Sequence, residues 1–197
     1  GSSDIAQDEE LIKLMSEAGC VEMLLGFENI NIQNIKRMNK KANYAFDYEK
    51  IVRIFRKNRI LVHASYVIGY DYDTKDCFQD ILDFSNRHKF FLAGFNPALP
   101  IPGTPFYDRL AEEGRLLYDK WWLDDDFVYG KATFKPHNMT IEEFEKGILE
   151  CKVKYNTHSN IWRRLFDRGA NFRHFLIFLV VNYINRKEIY NKKDVKL

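Results

Sequence analysis

The sequence predicts an α/β protein in which three consecutive strand–helix units are followed by a helical segment. Three apolar runs stop abruptly at glycine, proline or polar residues, and they span Val21–Asn29, Leu61–Thr74 and Phe90–Pro105. Near-continuous apolar runs of this length are typical of parallel strands that are buried on both faces. Helical patterns separate the runs, and crossovers long enough for a helix indicate right-handed parallel units.

The segments around the three predicted strands carry helical periodicity. Helices are predicted at 4–18, 47–59, 75–89 and 106–113. Gly19 ends the first helix, and Thr74 is the predicted N-cap of the third. The prolines between Pro97 and Pro105 exclude a continuing strand after the third run.

From Arg115 onwards the pattern changes. The segment Trp121–Tyr129 is aromatic and acidic without periodicity, and Thr140 with Glu143 forms a capping box that predicts a helix over 141–157. Further helices are predicted at 161–167 and 172–187. The last of these is interpreted as a buried helix, because its apolar run is too short to cross a bilayer. The chain is therefore divided into residues 1–114 and 115–197.

Composition restricts the partners. The chain has 30 Lys and Arg against 28 Asp and Glu, and no basic cluster interleaved with aromatic residues, so we expect no nucleic-acid partner. The three cysteines are far apart in sequence, which predicts neither a disulfide framework nor a metal site and fits a cytoplasmic protein. The aspartates at 124–126 are interpreted as caps or loop residues, with a metal site as the less favoured alternative.

Proteins with parallel strands bind their ligands at the carboxyl ends of the strands. This holds both for an open doubly wound sheet and for part of a barrel, and the pattern of the three units does not decide between these two architectures. The residues at these ends are Glu28, Asn29, Ser65, Tyr70, Asp71, Asp73 and Pro100–Pro105. Glu28 is the favoured binding residue, because packing explains poorly an acid directly after a buried strand. For Asp71 and Asp73, capping or loop hydrogen bonding is an equal alternative. His63 lies within the strand and is interpreted as a core histidine.

Three blocks of the chain resemble successive parts of the radical S-adenosylmethionine (SAM) enzymes. They read AGCVEMLLGFEN, VIGYDYDT and ALPIPGTPFYDR, and they follow one another in the order and spacing of that family. The class with a cobalamin-binding domain, which includes the hopanoid methylases, is the most similar. The resemblance implies the fourth, fifth and sixth strands of a partial TIM-type (β/α)6 barrel, and hence half a barrel with a C-terminal helical extension.

The resemblance also implies cofactors and contacts. SAM and a [4Fe–4S] cluster are implied as cofactors of the parent enzyme with a small-molecule substrate, and the use of cobalamin is left open. Glu28 matches the ribose contact, and Asn29 is its neighbour. Ser65–Tyr72 lies over the family pattern G-x-I-x-G-x-x-E, in which the first glycine and the glutamate are replaced here. The remaining implied cofactor contacts are Val67, Gly69, Leu99 and Ile101, and the implied substrate-facing residues are Tyr70, Asp71, Asp73 and Pro102. No catalytic side chain is expected, because the cofactor carries the chemistry.

One family feature is missing. Radical SAM enzymes hold their cluster with C-x3-C-x2-C, and Cys20, Cys77 and Cys151 cannot imitate that spacing. We therefore expect a C-terminal fragment of a longer Fe–S oxidoreductase or methylase, inactive alone. A non-catalytic α/β binding or adapter module is the alternative. An ordinary α/β transferase is a third hypothesis, but no glycine-rich phosphate turn follows a strand.

Half a barrel has two unpaired edges and an uncovered inner face. Either the segment Trp121–Tyr129 covers that face or two chains pair. We expect a homodimer that forms through the exposed edges.

Overall fold

The fold is built on one parallel sheet. The computed structural model describes residues 3–37, 48–118, 120–125, 127–128, 130–167 and 169–193. Its strands are β1 (Glu22–Glu28), β2 (Leu61–Ile68) and β3 (Leu92–Pro97), in the order β1-β2-β3. The predicted α/β class and the three parallel strands are confirmed, and a sheet of this order with its helices fits a partial barrel.

Helices connect the strands and continue after them. Those before β3 are α1 (Glu9–Glu17), α2 (Ile32–Arg37), α3 (Tyr48–Lys57) and α4 (Cys77–Arg87). Those after β3 are α5 (Pro105–Glu112), α6 (Ile141–Tyr155), α7 (His158–Leu165) and α8 (Phe175–Lys193). Short 3-10 helices lie at Ser3–Gln7 and Trp121–Leu123. The predicted start of the second helix at Asp47 and two members of the aromatic segment, Asp126 and Tyr129, lie outside the described residues.

The first helix begins later than predicted. Asp8 accepts a hydrogen bond from the backbone N–H of Leu11 at 2.9 Å and is the N-cap of α1, so the predicted start at Asp4 is wrong. The first N–H groups of a helix have no partner within the helix, and the carboxylate of an N-cap residue accepts a hydrogen bond from one of them. The same physics confirms the capping box, in which Thr140 and Glu143 bond each other's backbone N–H at 3.1 and 2.9 Å.

Thr74 is not the N-cap of the helix that follows β2. The helix α4 begins at Cys77, with Asp76 at the N-cap position, whereas Thr74 forms an isolated parallel bridge with Asn138. Asn138 also donates from its side chain to the carbonyl of Asp71. Contacts with the loop before α6 therefore hold the backbone around Thr74, which the prediction had placed at the start of the helix.

The core lies on one face of the sheet. Alternate residues of β2, namely Val62, Ala64, Tyr66 and Ile68, are buried in one cluster with side chains of α3, α4 and α6. Phe144, Ile148 and Tyr155 of α6 belong to this same cluster. The helix α6 therefore shares a hydrophobic core with the sheet. The division of the chain between residues 114 and 115 stays a prediction.

A buried arginine connects the C-terminal helices to β3. Arg164 is fully buried and donates to the carbonyls of Phe90 and Phe91 at 2.9 and 2.7 Å, and to Oδ1 of Asn182 at 2.9 Å. Its guanidinium also lies 4.1 Å from the ring centroid of Tyr155. These bonds join α7 and α8 to the start of β3.

The prediction that the last helix is buried is wrong. Phe178 and Asn182 of α8 are buried, but Leu176 and Val180 are 65% and 58% exposed. The helix packs on α6 and α7 along one side, and the described residues leave its other side exposed. No helix among the described residues is long and apolar enough to cross a membrane.

Candidate functional site

The second face of the sheet carries small and polar residues that the described part of the chain leaves partly exposed, and we call it the open face. Gly26 of β1 pairs with Ser65 of β2, and Ser65 pairs with Gly94 of β3, so three small residues cross the sheet in one row. Because side chains alternate along a strand, His63 and Val67 share this face with Ser65. The row forms a shallow floor on which a flat ligand can approach the backbone closely.

Glu28 overhangs this floor. It ends β1 with φ 61°, and the pairing register shifts between Gly26 and Glu28. A Cβ added to Gly26 would lie 2.6 Å from Oε1 of Glu28, so the carboxylate folds back over the glycine. A left-handed backbone costs a glutamate on the order of 1 kcal/mol, and such strain in a structure is concentrated at functional sites. The geometry therefore directs the Glu28 carboxylate to the open face.

Asn29 and Asp73 form a buried hydrogen-bond network beneath the strand ends. Asp73 is 1% exposed and Asn29 is fully buried. Asp73 accepts from the side chains of Asn29 and Asn34 at 3.0 and 2.7 Å and from the backbone N–H of Gly69 at 2.8 Å. Burial raises the pKa of Asp73, and these donors oppose the shift. The network joins the ends of β1 and β2 and leaves Asp73 no surface for a substrate.

Asp71 accepts from three arginines. Its carboxylate lies 2.9 Å from Nε of Arg37 and 3.0 Å from Nη1 of Arg115, and it also bonds Nη1 of Arg109. Burial of Asp71 raises its pKa, but the hydrogen bonds and charges of Arg115, Arg109 and Arg37 outweigh that effect and lower the pKa below its usual value. Arg37 comes from α2, whereas Arg109 and Arg115 come from α5 and the residues directly after it, and no sequence signal identified the cluster.

Tyr70 lies between these groups. Its ring stacks on Phe106 with centroids 4.7 Å apart, and Arg109 lies over the same phenylalanine at 5.6 Å. Burial, followed by the charge of Glu28, raises the pKa of Tyr70. Gly69 is buried and has φ 111°, which turns the chain towards Tyr70. Glu28, Tyr70 and Asp71 are thus brought to one edge of the sheet.

The residues after β3 lie further from Glu28, because β2 separates β1 from β3 and neighbouring strands are about 5 Å apart. Leu99 is half-buried, whereas Ile101 and Pro102 are exposed. The indole N–H of Trp121 donates to the carbonyl of Pro100 at 2.8 Å. The described part of Trp121–Tyr129 therefore packs on this loop and leaves Leu24 of the open face 48% exposed.

His63 belongs to the open face and not to the core, so its interpretation as a core histidine is wrong. Its Nδ1 lies 3.2 Å from Oε1 of Glu22, and the ring is half-buried. Burial lowers the pKa of His63, and Glu22 opposes the shift. Counting by two along β2 from Ser65 was the signal that could have placed this histidine.

The cysteines do not fit an iron–sulfur cluster. Cys77 and Cys151 are buried in the core, where burial raises the pKa of Cys151 to about 12, and Cys20 lies before β1. Cluster ligands are thiolates that lie close together. In the described part of the chain, no group of three His, Cys, Asp or Glu is arranged to hold a metal ion. The chemistry of a bound cluster therefore cannot be assigned to these residues.

A cavity of about 550 Å³ lies beside the free edge of β3. It is bordered by His63 and Gly94 from the sheet, Ile148 from α6 and Ile189 from α8. Its lining is mainly apolar, and its size is that of a pocket for a small molecule. Its border thus combines residues of the open face with residues of α6 and α8.

The chain is similar to several curated enzymes. A bacteriochlorophyllide d C-12(1)-methyltransferase of Chlorobaculum tepidum is 27% identical over 186 residues, which cover 94% of this chain and 40% of that protein. A hopanoid C-2 methylase of Rhodopseudomonas palustris is 30% identical over 59% of this chain and 22% of its own length. An anaerobic magnesium-protoporphyrin IX monomethyl ester cyclase of Cereibacter sphaeroides is 26% identical over 87% of this chain and 26% of its own length. No protein-family profile matches the chain.

These similarities confirm the resemblance to the radical SAM enzymes, and the chain is a homologue of members of that family. The chain spans 40% of the length of the first relative and a smaller share of the other two.

Proposed function

We propose that the chain supplies the SAM-orienting and substrate-facing strands of a radical SAM iron–sulfur enzyme that methylates or otherwise modifies a small molecule. The observation that carries the proposal is the Glu28 carboxylate, which is held over the floor of Gly26 and Ser65 by a left-handed backbone. Homology to methyltransferases and a cyclase of the family supports the reaction class.

The residues at the strand ends fit a nucleoside. A carboxylate accepts hydrogen bonds from both hydroxyl groups of a ribose, and the small residues beside it leave room for the sugar. Val67 borders the same face, and the backbone of Leu99–Ile101 offers polar groups that an adenine edge can bond. Bound SAM would supply the radical chemistry through a cluster, whereas these residues bind and orient it. The proposal does not extend to cobalamin, whose use stays open.

The cluster is proposed to come from polypeptide other than these residues, so the chain alone is proposed to be inactive. After anaerobic treatment with iron, sulfide and reductant, we expect no charge-transfer band of a [4Fe–4S] cluster and no 5′-deoxyadenosine from SAM. A stoichiometric cluster with SAM cleavage would contradict this part of the proposal.

The substrate is proposed to be a large, mainly apolar ring compound. The three relatives act on a bacteriochlorophyllide, a hopanoid and a magnesium-protoporphyrin ester, all of which are polycyclic. The apolar cavity beside β3 is bordered by His63 and Gly94, which share the face of the proposed SAM site, and this supports the class.

The central test is SAM binding by calorimetry to the 197-residue chain. Glu28→Gln removes the charged acceptor and keeps its shape, so we expect affinity to fall about tenfold, as for the loss of a hydrogen bond to a charged group. Glu22→Gln on the same strand, which touches His63 and not the proposed ribose site, is the matched control and should bind like the wild type. Equal affinity of wild type and Glu28→Gln would reject the ribose contact, and SAM binding by neither would favour a non-catalytic binding or adapter module.

Pairing of two chains is also part of the proposal. In the described sheet, β1 and β3 each have one edge without a neighbouring strand. Such edges expose backbone N–H and C=O groups that a second chain can bond. Light scattering over a concentration series should show a dimer, and a monomer at every concentration would contradict pairing.

A further inference from the structure

The C-terminal helices expose many large apolar side chains, which we name the C-terminal apolar surface. Its members are Trp162, Phe166, Phe172, Phe175, Leu176, Ile177, Val180 and Ile184, and each is between 43% and 65% exposed. Soluble proteins rarely expose apolar groups in such a cluster unless another surface covers them. The surface is unrelated to the proposed SAM site and needs its own explanation.

Two structural features build this surface. The rings of Trp162, Phe166 and Phe172 form a stacked series, with centroids 6.4 and 6.3 Å apart. Leu176, Val180 and Ile184 follow at intervals of four residues and therefore share one face of α8. That face lies roughly opposite the buried side of α8, so packing against the rest of the chain does not need it.

Positive charge surrounds the surface. Residues 158–193 contain eight Lys and Arg, of which Arg164 is buried and adds no surface charge, but only two Asp and Glu, although the chain as a whole is nearly balanced at 30 against 28. Arg163, Arg173 and Lys187 are exposed beside the apolar residues. Of the two acids, Asp167 is already paired with Arg56 at 3.2 Å. The partner of this surface is therefore expected to be both apolar and anionic.

We propose that the C-terminal apolar surface binds the interface of an anionic lipid bilayer, with α8 lying in the plane of the membrane. Exposed Trp, Phe and aliphatic side chains next to Lys and Arg are the composition of interfacial helices, whose apolar face enters about 5–10 Å into the headgroup boundary. Anionic headgroups would neutralise Arg163, Arg173 and Lys187. A second copy of the chain fits less well, because the same excess of positive charge would face itself.

The position of the surface is compatible with an accessible site. Phe178, on the buried side of α8, packs against Phe91 and Leu61. These two residues lie at the amino-terminal ends of β3 and β2, whereas Glu28 and Tyr70 lie at the carboxyl ends. A chain bound through α8 would keep the proposed SAM site at the end of the sheet that is remote from the bilayer.

The test is flotation of the full chain with two kinds of vesicle, one of phosphatidylcholine alone and one with an equal part of phosphatidylglycerol. We expect binding to the anionic vesicles that weakens in about 0.5 M salt, where screening shortens to a few ångströms. The double variant Leu176→Ser/Val180→Ser should lower the partition coefficient at least about tenfold, through loss of apolar area. Arg173→Glu/Lys187→Glu should lower it further, since each basic residue near an anionic surface is worth about fivefold.

The control is Leu14→Ser, which changes an equally exposed leucine on α1, 55% exposed and outside the surface. It should bind like the wild type, and circular dichroism should show that all variants are folded. The proposal is overturned if the wild type does not float with anionic vesicles, or if Leu176→Ser/Val180→Ser floats equally well. It is also overturned if these substitutions abolish a dimer while vesicle binding is absent, because the covering partner is then a second copy.

Discussion

Replacement of Asp71 by asparagine removes the charge on which three arginines converge. Arg109 and Arg115, with side chains 23% and 13% exposed, each lose a hydrogen bond to a carboxylate, which is worth about 1.5 kcal/mol in such a setting. Arg37 is 41% exposed, so its ion pair adds less than about 1 kcal/mol. Glu113, 2.8 Å from Arg115, keeps part of the interaction. We therefore expect Asp71→Asn to lower the free energy of unfolding by about 3 kcal/mol near pH 7.

The effect should depend on pH with a defined sign. The arginines lower the pKa of Asp71 below its ordinary value of 3.8 in the folded chain. The stabilisation is therefore fully present well above that value and is lost as the pH falls through the lower folded pKa. The difference between wild type and variant should be constant from neutral pH to about pH 5 and should shrink on further acidification.

Urea unfolding followed by circular dichroism, at a series of pH values, measures both quantities. Asp83→Asn is the control, because Asp83 is exposed and its side chain accepts only from Gln79 of the same helix among the described contacts. It should change the free energy by less than about 0.5 kcal/mol. A loss for Asp71→Asn that is equal at neutral and strongly acidic pH would refute the electrostatic explanation.

Three further substitutions test other parts of the structure. Arg164→Met removes four hydrogen bonds to buried acceptors, although the carbonyls of Phe90 and Tyr155 each keep a second donor. It should cost about 3 kcal/mol in urea unfolding, whereas Arg163→Met, next to it and exposed, should cost less than about 0.5 kcal/mol. An unchanged stability of Arg164→Met would mean that desolvation of the cation outweighs its bonds. Glu28→Gly relieves a left-handed glutamate and should raise thermal stability by about 1 kcal/mol while abolishing calorimetric SAM binding, and a stability loss would contradict the strain. Gly69→Ala should cost about 3 kcal/mol in urea unfolding, because a Cβ there would lie 2.8 Å from the ring of Phe144 at φ 111°, and a neutral result would show that the ring can move.

Local patterns predicted the elements well where one signal had no competitor. The apolar runs placed all three strands, and Thr140 with Glu143 placed the start of α6, because strand burial and a capping box are both local effects. Thr74 failed as an N-cap because Asn138, 64 residues away in the chain by their numbers, bonds the same loop. The burial of α8 also failed, since periodicity reports which residues are apolar but not how many neighbours the fold supplies.

The candidate site shows the same division. Placing Glu28 at a strand end needed only the apolar run before it, but its left-handed φ and its fold over Gly26 arise from the pairing of β1 with β2. Asn29 and Asp73 were expected at the strand ends and do lie there. Their side chains, however, are buried and hydrogen-bonded to each other. Strand topology places residues at an edge, whereas packing decides which of them remain open to a ligand.

The sequence by itself determined the α/β class, the parallel order of the three strands and the family to which the chain is related. These properties follow from periodicity, connection length and motifs that are contiguous in the chain. Only the tertiary structure decided that Arg37 meets Arg109 and Arg115 at Asp71, that His63 lies on the open face and that the described residues leave one side of α8 exposed. The physical reason is that charge pairing and burial depend on neighbours distant in sequence, which no local pattern encodes.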